Sequence, residues 1–169
     1  MDFAWSDQQR ELLDAVSRFA GQQLNYNMVE NDREGVFNRD AWQKCGRFGI
    51  HGLLVSPNYG GLGVDPLTAV AALERLAYNC NDNGLLFSIN AHMWTAITPL
   101  VYSGSEAQKK KYLPGLCEGT LIGGNAMSEP NSGWKPSRGS LFNLATNRVR
   151  NRCKMRSISR CDAPVLSTA

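Results

Sequence analysis

A succession of helix starts, each written in capping chemistry, fills the first 120 residues and constrains them to a bundle of helices. Ser6 followed by Gln9 has the spacing of a capping box, where serine hydroxyl and glutamine amide satisfy opposite backbone N–H groups. Leu12, Leu13, Val16, Phe19 and Ala20 then recur at helical spacing, which predicts a helix from Ser6 to near Leu24. Asn38 is the next cap, flanked by Phe37 and Trp42 as a hydrophobic staple, and it opens a short helix ending between Gly46 and Gly49. Asp65-Pro66 places a cap before a proline at the first helical position, and Ala69, Val70, Leu73, Leu76 and Ala77 supply the apolar stripe. Asp82 or Asn83 opens a further helix that closes near Gly104. Ser105 with Gln108 is a second capping box, and Lys109 to Lys111 load the C-terminal half of a short helix, where cations suit the dipole. Pro114 is expected to start one more turn, ended by Gly119.

Two stretches break this pattern. Residues 49–63 are too rich in glycine for a helix interior and predict a loop over the core. Clustered glycines before a helix can cradle a phosphate, but the spacing here fits neither a P-loop nor a dinucleotide fingerprint, so a structural turn is the expectation. Leu121 to Ser128 reads as a short β-strand, stopped by Glu129-Pro130 and an Asn-Ser-Gly turn, because proline cannot donate to a ladder.

Composition bounds the rest. With 169 residues, 43% hydrophobic and 20% charged, the chain is of ordinary globular type. Its charge is divided: residues 1–133 carry 10 basic and 14 acidic side chains, net −4, and residues 134–169 carry 8 and 1, net +7. Cys45, Cys80, Cys117, Cys153 and Cys161 are odd in number and lack paired spacing, which argues for a reducing compartment and against a zinc site or disulfide framework. An amphipathic helix with its own cap begins by Ser6, leaving no signal or transit peptide, so a cytoplasmic protein is expected. Asn83 to Ser105 is uncharged and long enough to span a bilayer, but Asn83, Ser88, Asn90, His92, Thr95 and Thr98 favour a buried helix in a soluble bundle. His51 and His92 are the only histidines, far apart in sequence, and hydrogen-bonded structural roles are expected for both. Trp42, Phe48, Phe87 and Trp94 read as core.

Three segments in this order, Tyr59-Gly60-Gly61-Leu62-Gly63, Gly104 to Pro114, and Leu121 to Gly133, resemble the acyl-CoA dehydrogenases. The resemblance covers Met1 to Gly133. It implies a mainly α fold: residues 1–120 as the family's N-terminal helical bundle, and 121–133 as the first strand and flavin-contacting loop of its middle β-domain. It also implies FAD as cofactor and an acyl-CoA substrate, with an α-proton removed by a carboxylate and a β-hydride passed to flavin N5. Ala126, Met127, Ser128, Glu129, Pro130 and Gly133 match the hinge pattern that touches the flavin. By carry-over, Met127 and Ser128 are the cofactor-binding residues, presenting backbone groups and the Ser128 hydroxyl to the pyrimidine edge. The Ser and acid that the family places next are Trp134 and Lys135 here.

No catalytic residue is assigned, because the family's base comes from a C-terminal bundle that this sequence does not match. The chain is thus expected to be an inactive fragment on its own, of a protein that is a homo-oligomer in full-length form. A non-catalytic helical module binding acyl-CoA or a protein partner is the alternative. The apolar helix from Leu85 to Pro99 looks like the wall that meets the acyl chain, and it is expected to be left uncovered, favouring self-association. Residues 134–169 match nothing in the family. They read either as a disordered basic tail or as an out-of-frame translation, since a shift at Trp134-Lys135 restores the expected acid. Neither membrane nor nucleic acid is read as a partner.

Overall fold

The computed structural model describes residues 4–126 and 141–145. Seven helices come first: α1 (Asp7–Gln23), α2 (Met28–Glu34), α3 (Arg39–Phe48), α4 (Pro66–Asn79), α5 (Asn83–Ala91), α6 (Thr98–Ser103) and α7 (Glu106–Cys117). A 3-10 turn at Pro57–Tyr59 interrupts the glycine-rich loop, and a π-helical turn at His92–Ile97 joins α5 to α6. Two strands follow, β1 (Ile122–Ala126) and β2 (Leu141–Ala145), paired antiparallel with Ile122 opposite Ala145 and Ala126 opposite Leu141. The mainly α architecture expected from the caps is therefore what forms.

Both capping boxes close as the spacing requires: Ser6 and Ser105 accept from the N–H groups of Gln9 and Gln108, whose amide oxygens accept in return from the cap N–H. Asn38, Asp65 and Asp82 cap α3, α4 and α5 through their side chains. The starts of α1 and α4 are further tied together, since the Gln9 amide donates to Thr68 Oγ1 at 2.6 Å and to Asp65. Behind this tie Leu13, Val16 and Ala20 of α1 share one buried cluster with Ala69, Ala72, Leu73 and Leu76 of α4. A second cluster joins Val55, Ile97 and Leu100 to Tyr112, Leu113, Leu116 and Cys117 of α7.

Several expectations need correction. The helix α2 has no counterpart in the sequence reading, because it buries no residue and so carries no apolar stripe. Pro114 does not begin a turn: it lies inside α7, which continues to Cys117. The partner it denies is the carbonyl of Lys110, an exposed residue. Phe87, assigned to the core, is 76% exposed. The single β segment has an antiparallel partner, β2, drawn from the stretch that matches nothing in the family. The strand reading Leu121 to Ser128 is realised from Ile122 to Ala126; Met127, Ser128 and, apart from β2, the tail lie outside the described residues.

The glycine-rich loop is a structural turn. The N–H groups of Tyr59, Gly60, Gly61, Leu62, Gly63 and Val64 donate to carbonyls of Ser56, Pro57, Ser56, Gly52, Val55 and Leu53, leaving none in that run for an anion. Gly61 is required by contact, since a Cβ there would overlap the carbonyl oxygen of Val55.

Candidate functional site

The place where the sequence concentrates its unusual features is the junction of the uncharged helix with β1. Pro99 is the cause. In a regular α-helix its ring would collide with the carbonyl of Thr95 and its missing N–H would leave that carbonyl unpaired. The preceding turn widens to π geometry over His92–Ile97, and Thr98 sends both its N–H and its hydroxyl to Met93 O, the hydroxyl at 2.9 Å. Such turns are short and concentrate at functional positions. This one buries His92, Met93, Ala96 and Ile97 together.

Strand β1 lies directly on the π turn. Its Gly123 N–H donates to Nδ1 of His92 at 2.9 Å, and Nε2 of the same ring lies 3.0 Å from the carbonyl of Leu116 in α7. An acceptor at Nδ1 and a carbonyl partner at Nε2 fix one neutral tautomer, with the proton on Nε2. Burial pushes the His92 pKa down, against the opposing pull of those two backbone bonds. The chain between α7 and β1 has two further ties: the Trp42 indole donates to Gly119 O at 3.0 Å, and Leu121 N–H to Gly115 O at 2.9 Å.

His51 completes a buried aromatic group, with its ring centroid 4.2 Å from that of Trp42 and 5.1 Å from that of His92. Hydrogen bonding was expected for both histidines; only His92 has it, and both nitrogens of His51 are buried without a partner. Desolvation, then the nearby His92, lowers its pKa to about 3. The proximity of the two histidines, 41 positions apart, was not visible in sequence. Neither ring is poised as a base, and the thiols nearby are held protonated by burial, Cys45 at about 12 and Cys117 at about 11. What this arrangement does is fix a strand.

On the outer side the uncharged helix exposes Phe87 at 76% and Tyr102 at 69%, with half-buried Asn90, Trp94 and Val101 at helical spacing between them. Trp94 donates its indole N–H to Asn90 Oδ1 at 3.2 Å. Leu85, Leu86, Ile89, Met93 and Ile97, expected to be left uncovered, are instead buried in the domain's own core. Two surface grooves lie elsewhere. One of about 480 Å3 runs between α2 and the start of α5, and one of about 510 Å3 sits beside the α1–α4 tie. Neither is lined by β1 or the π turn. Met127 and Ser128, the expected cofactor contacts, follow immediately after β1 and lie outside the described residues. Among the described residues, no helix is long and apolar enough to cross a membrane.

Comparison with known proteins agrees with this geometry. The profile of the acyl-CoA dehydrogenase N-terminal domain matches residues 6–120. The mitochondrial isovaleryl-CoA dehydrogenase of Pongo abelii is 39% identical over 130 residues, 76% of this chain and 30% of the relative. A crystal structure of the prolyl acyl carrier protein oxidase AnaB is 43% identical with a TM-score of 0.72, over 83% of this chain and 40% of that one. PigA, solved with FAD and proline, is 30% identical with a TM-score of 0.73, over 85% and 40%. The chain thus spans 30% to 40% of the length of these relatives. FAD is the cofactor expected of the group. With the profile covering the helical domain from its first cap to the edge of β1, the chain belongs to the acyl-CoA dehydrogenase family, by its N-terminal domain.

Proposed function

We propose that this chain forms the helical half of an FAD-dependent site for α,β-dehydrogenation of acyl thioesters. The observation that carries the reading is the strand β1, held on the π turn through Gly123 and leading directly into Met127-Ser128-Glu129-Pro130. The described residues fit the approach of a flat ring at that point: Gly124 is exposed, and a Cβ on it would meet nothing within 4 Å. Met127 and Ser128 would hold the pyrimidine edge, offering fixed donors where negative charge grows. When bound, FAD supplies the hydride acceptor. The chain's own contribution is to bind and orient. Phe87 and Trp94 form a wall suited to an acyl chain, with the Asn90 amide bracing the Trp94 indole from its own bond to Leu86 O.

No residue of this chain is assigned as the base, so the 169 residues alone are expected to show no turnover. Acyl-CoA, further copies of the chain and a reducing compartment are the partners and setting this reading implies. The 43% identity to a prolyl acyl carrier protein oxidase supports a second substrate class, a prolyl thioester on a carrier protein. A chimera tests both. Residues 6–133 replace the matching segment of the isovaleryl relative, and flavin content and turnover are measured with isovaleryl-CoA and with a prolyl-carrier thioester. A yellow chimera active on either thioester supports the proposal and names the class; a folded chimera without flavin overturns it.

A further inference from the structure

We propose that His92 is a positioning residue: its ring is a two-sided staple that sets the register of β1 on the π turn, and so the point at which the chain enters Met127-Ser128. Successive N–H groups of a strand point to opposite edges, so only every second residue can donate to a given ring. Gly123 donates to His92 rather than to β2, and β1 is therefore bonded on both edges. A slip by one residue turns the N–H away and leaves Nδ1 buried without a donor. A slip by two restores the direction but brings Leu121 or Asn125 to the position of Gly123, where a Cβ would overlap that of Ala96. One register satisfies both conditions. On the other side, Nε2 ties the same ring to Leu116 O, so α7, the π turn and β1 are fixed against one another by a single side chain.

The functional consequence rests on the flavin reading above, but the staple stands on its own geometry, and the two can fail separately. In the unmodified, 15N-labelled 169-residue chain, an N–H···N bond transmits a coupling between the Gly123 amide and His92 Nδ1, which NMR detects directly. Amide exchange is then compared across variants. His92→Phe removes both bonds and should accelerate exchange at Gly123 by about tenfold or more beyond any change at Leu13 and Val16, which report on the common core. His92→Asn keeps an acceptor near the Nδ1 position and should recover much of that protection. Uniform acceleration of all amides, or no coupling in the unmodified chain, overturns the staple. FAD titration separates the second question: if the chain takes up FAD, His92→Phe should weaken it by about tenfold and His92→Asn far less. A chain that shows the coupling and the local exchange effect but takes up no FAD sustains the staple and counts against the flavin reading.

Discussion

His51 should make this domain acid-sensitive in a way that one substitution removes. Its imidazole is fully buried, both nitrogens lack a partner, and the rings of Trp42 and His92 pack against it. In the unfolded chain it takes a proton below about pH 6.5, whereas in the folded chain burial lowers that value to about 3. Between these values the unfolded state binds more protons, so acid favours unfolding. The contribution is fully present above pH 6.5 and is lost as pH falls toward 3. At 1.36 kcal/mol per pKa unit the loss reaches roughly 5 kcal/mol in the limit, and about 2 kcal/mol at pH 5. His51→Leu is of similar volume and removes both orphan nitrogens, so at pH 8 it should lie within about 1.5 kcal/mol of the parent, on either side. Urea unfolding followed by tryptophan fluorescence at pH 8, 6.5 and 5 would measure both proteins. The parent's stability should fall by about 2 kcal/mol more than the variant's between pH 8 and 5, because the titrating groups that do not touch His51 cancel in the difference. Parallel pH profiles would refute the reasoning and show that the buried ring is hydrated or protonated in the native state.

Other consequences can be checked by similar means. Ser6→Ala and Ser105→Ala each remove a closed capping box and should lower stability by about 1 kcal/mol, read from denaturant midpoints. Gly61→Ala forces a Cβ onto the Val55 carbonyl oxygen and should cost about 3 kcal/mol or more. Because burial holds Cys45 and Cys117 protonated, iodoacetamide at pH 8 should leave both unmodified in the folded chain and label both in urea, as peptide mass spectrometry would show.

What could be read in advance was what local chemistry writes. Ser6 with Gln9, and Ser105 with Gln108, announce helix starts because the partners are three residues apart and need nothing from the rest of the fold. Asp65-Pro66 is legible for the same reason. By contrast α2 buries nothing, so no periodicity could reveal it, and Pro114 was misplaced because a local rule was applied where a helix packed on both sides by Tyr112, Leu113, Leu116 and Cys117 overrides it. Phe87 shows the converse error: an aromatic in an uncharged helix reads as core, yet Leu85, Leu86 and Ile89 take the inward face and leave Phe87 outside. The His51–His92 pair is invisible at a separation of 41 positions, and the π turn is implied only by a proline whose effect depends on how the helix is held at both ends.

These features bear on what the basic stretch after Gly133 can affect. Strand β1 pairs with β2 from Ile122 to Ala126, but its path from α7 is secured by Trp42 at Gly119, by Gly115 at Leu121 and by His92 at Gly123, all within the helical domain. The strand is thus an extension of the bundle before it is a member of any sheet. A change of sequence beyond Gly133 removes none of those ties, so it should leave the helical domain standing while altering what meets the strand's far end. The ties that hold the strand end at Gly123, and on the flavin reading proposed above cofactor binding falls to the residues that begin after Ala126. His92 is the side chain through which the former fix where the latter start.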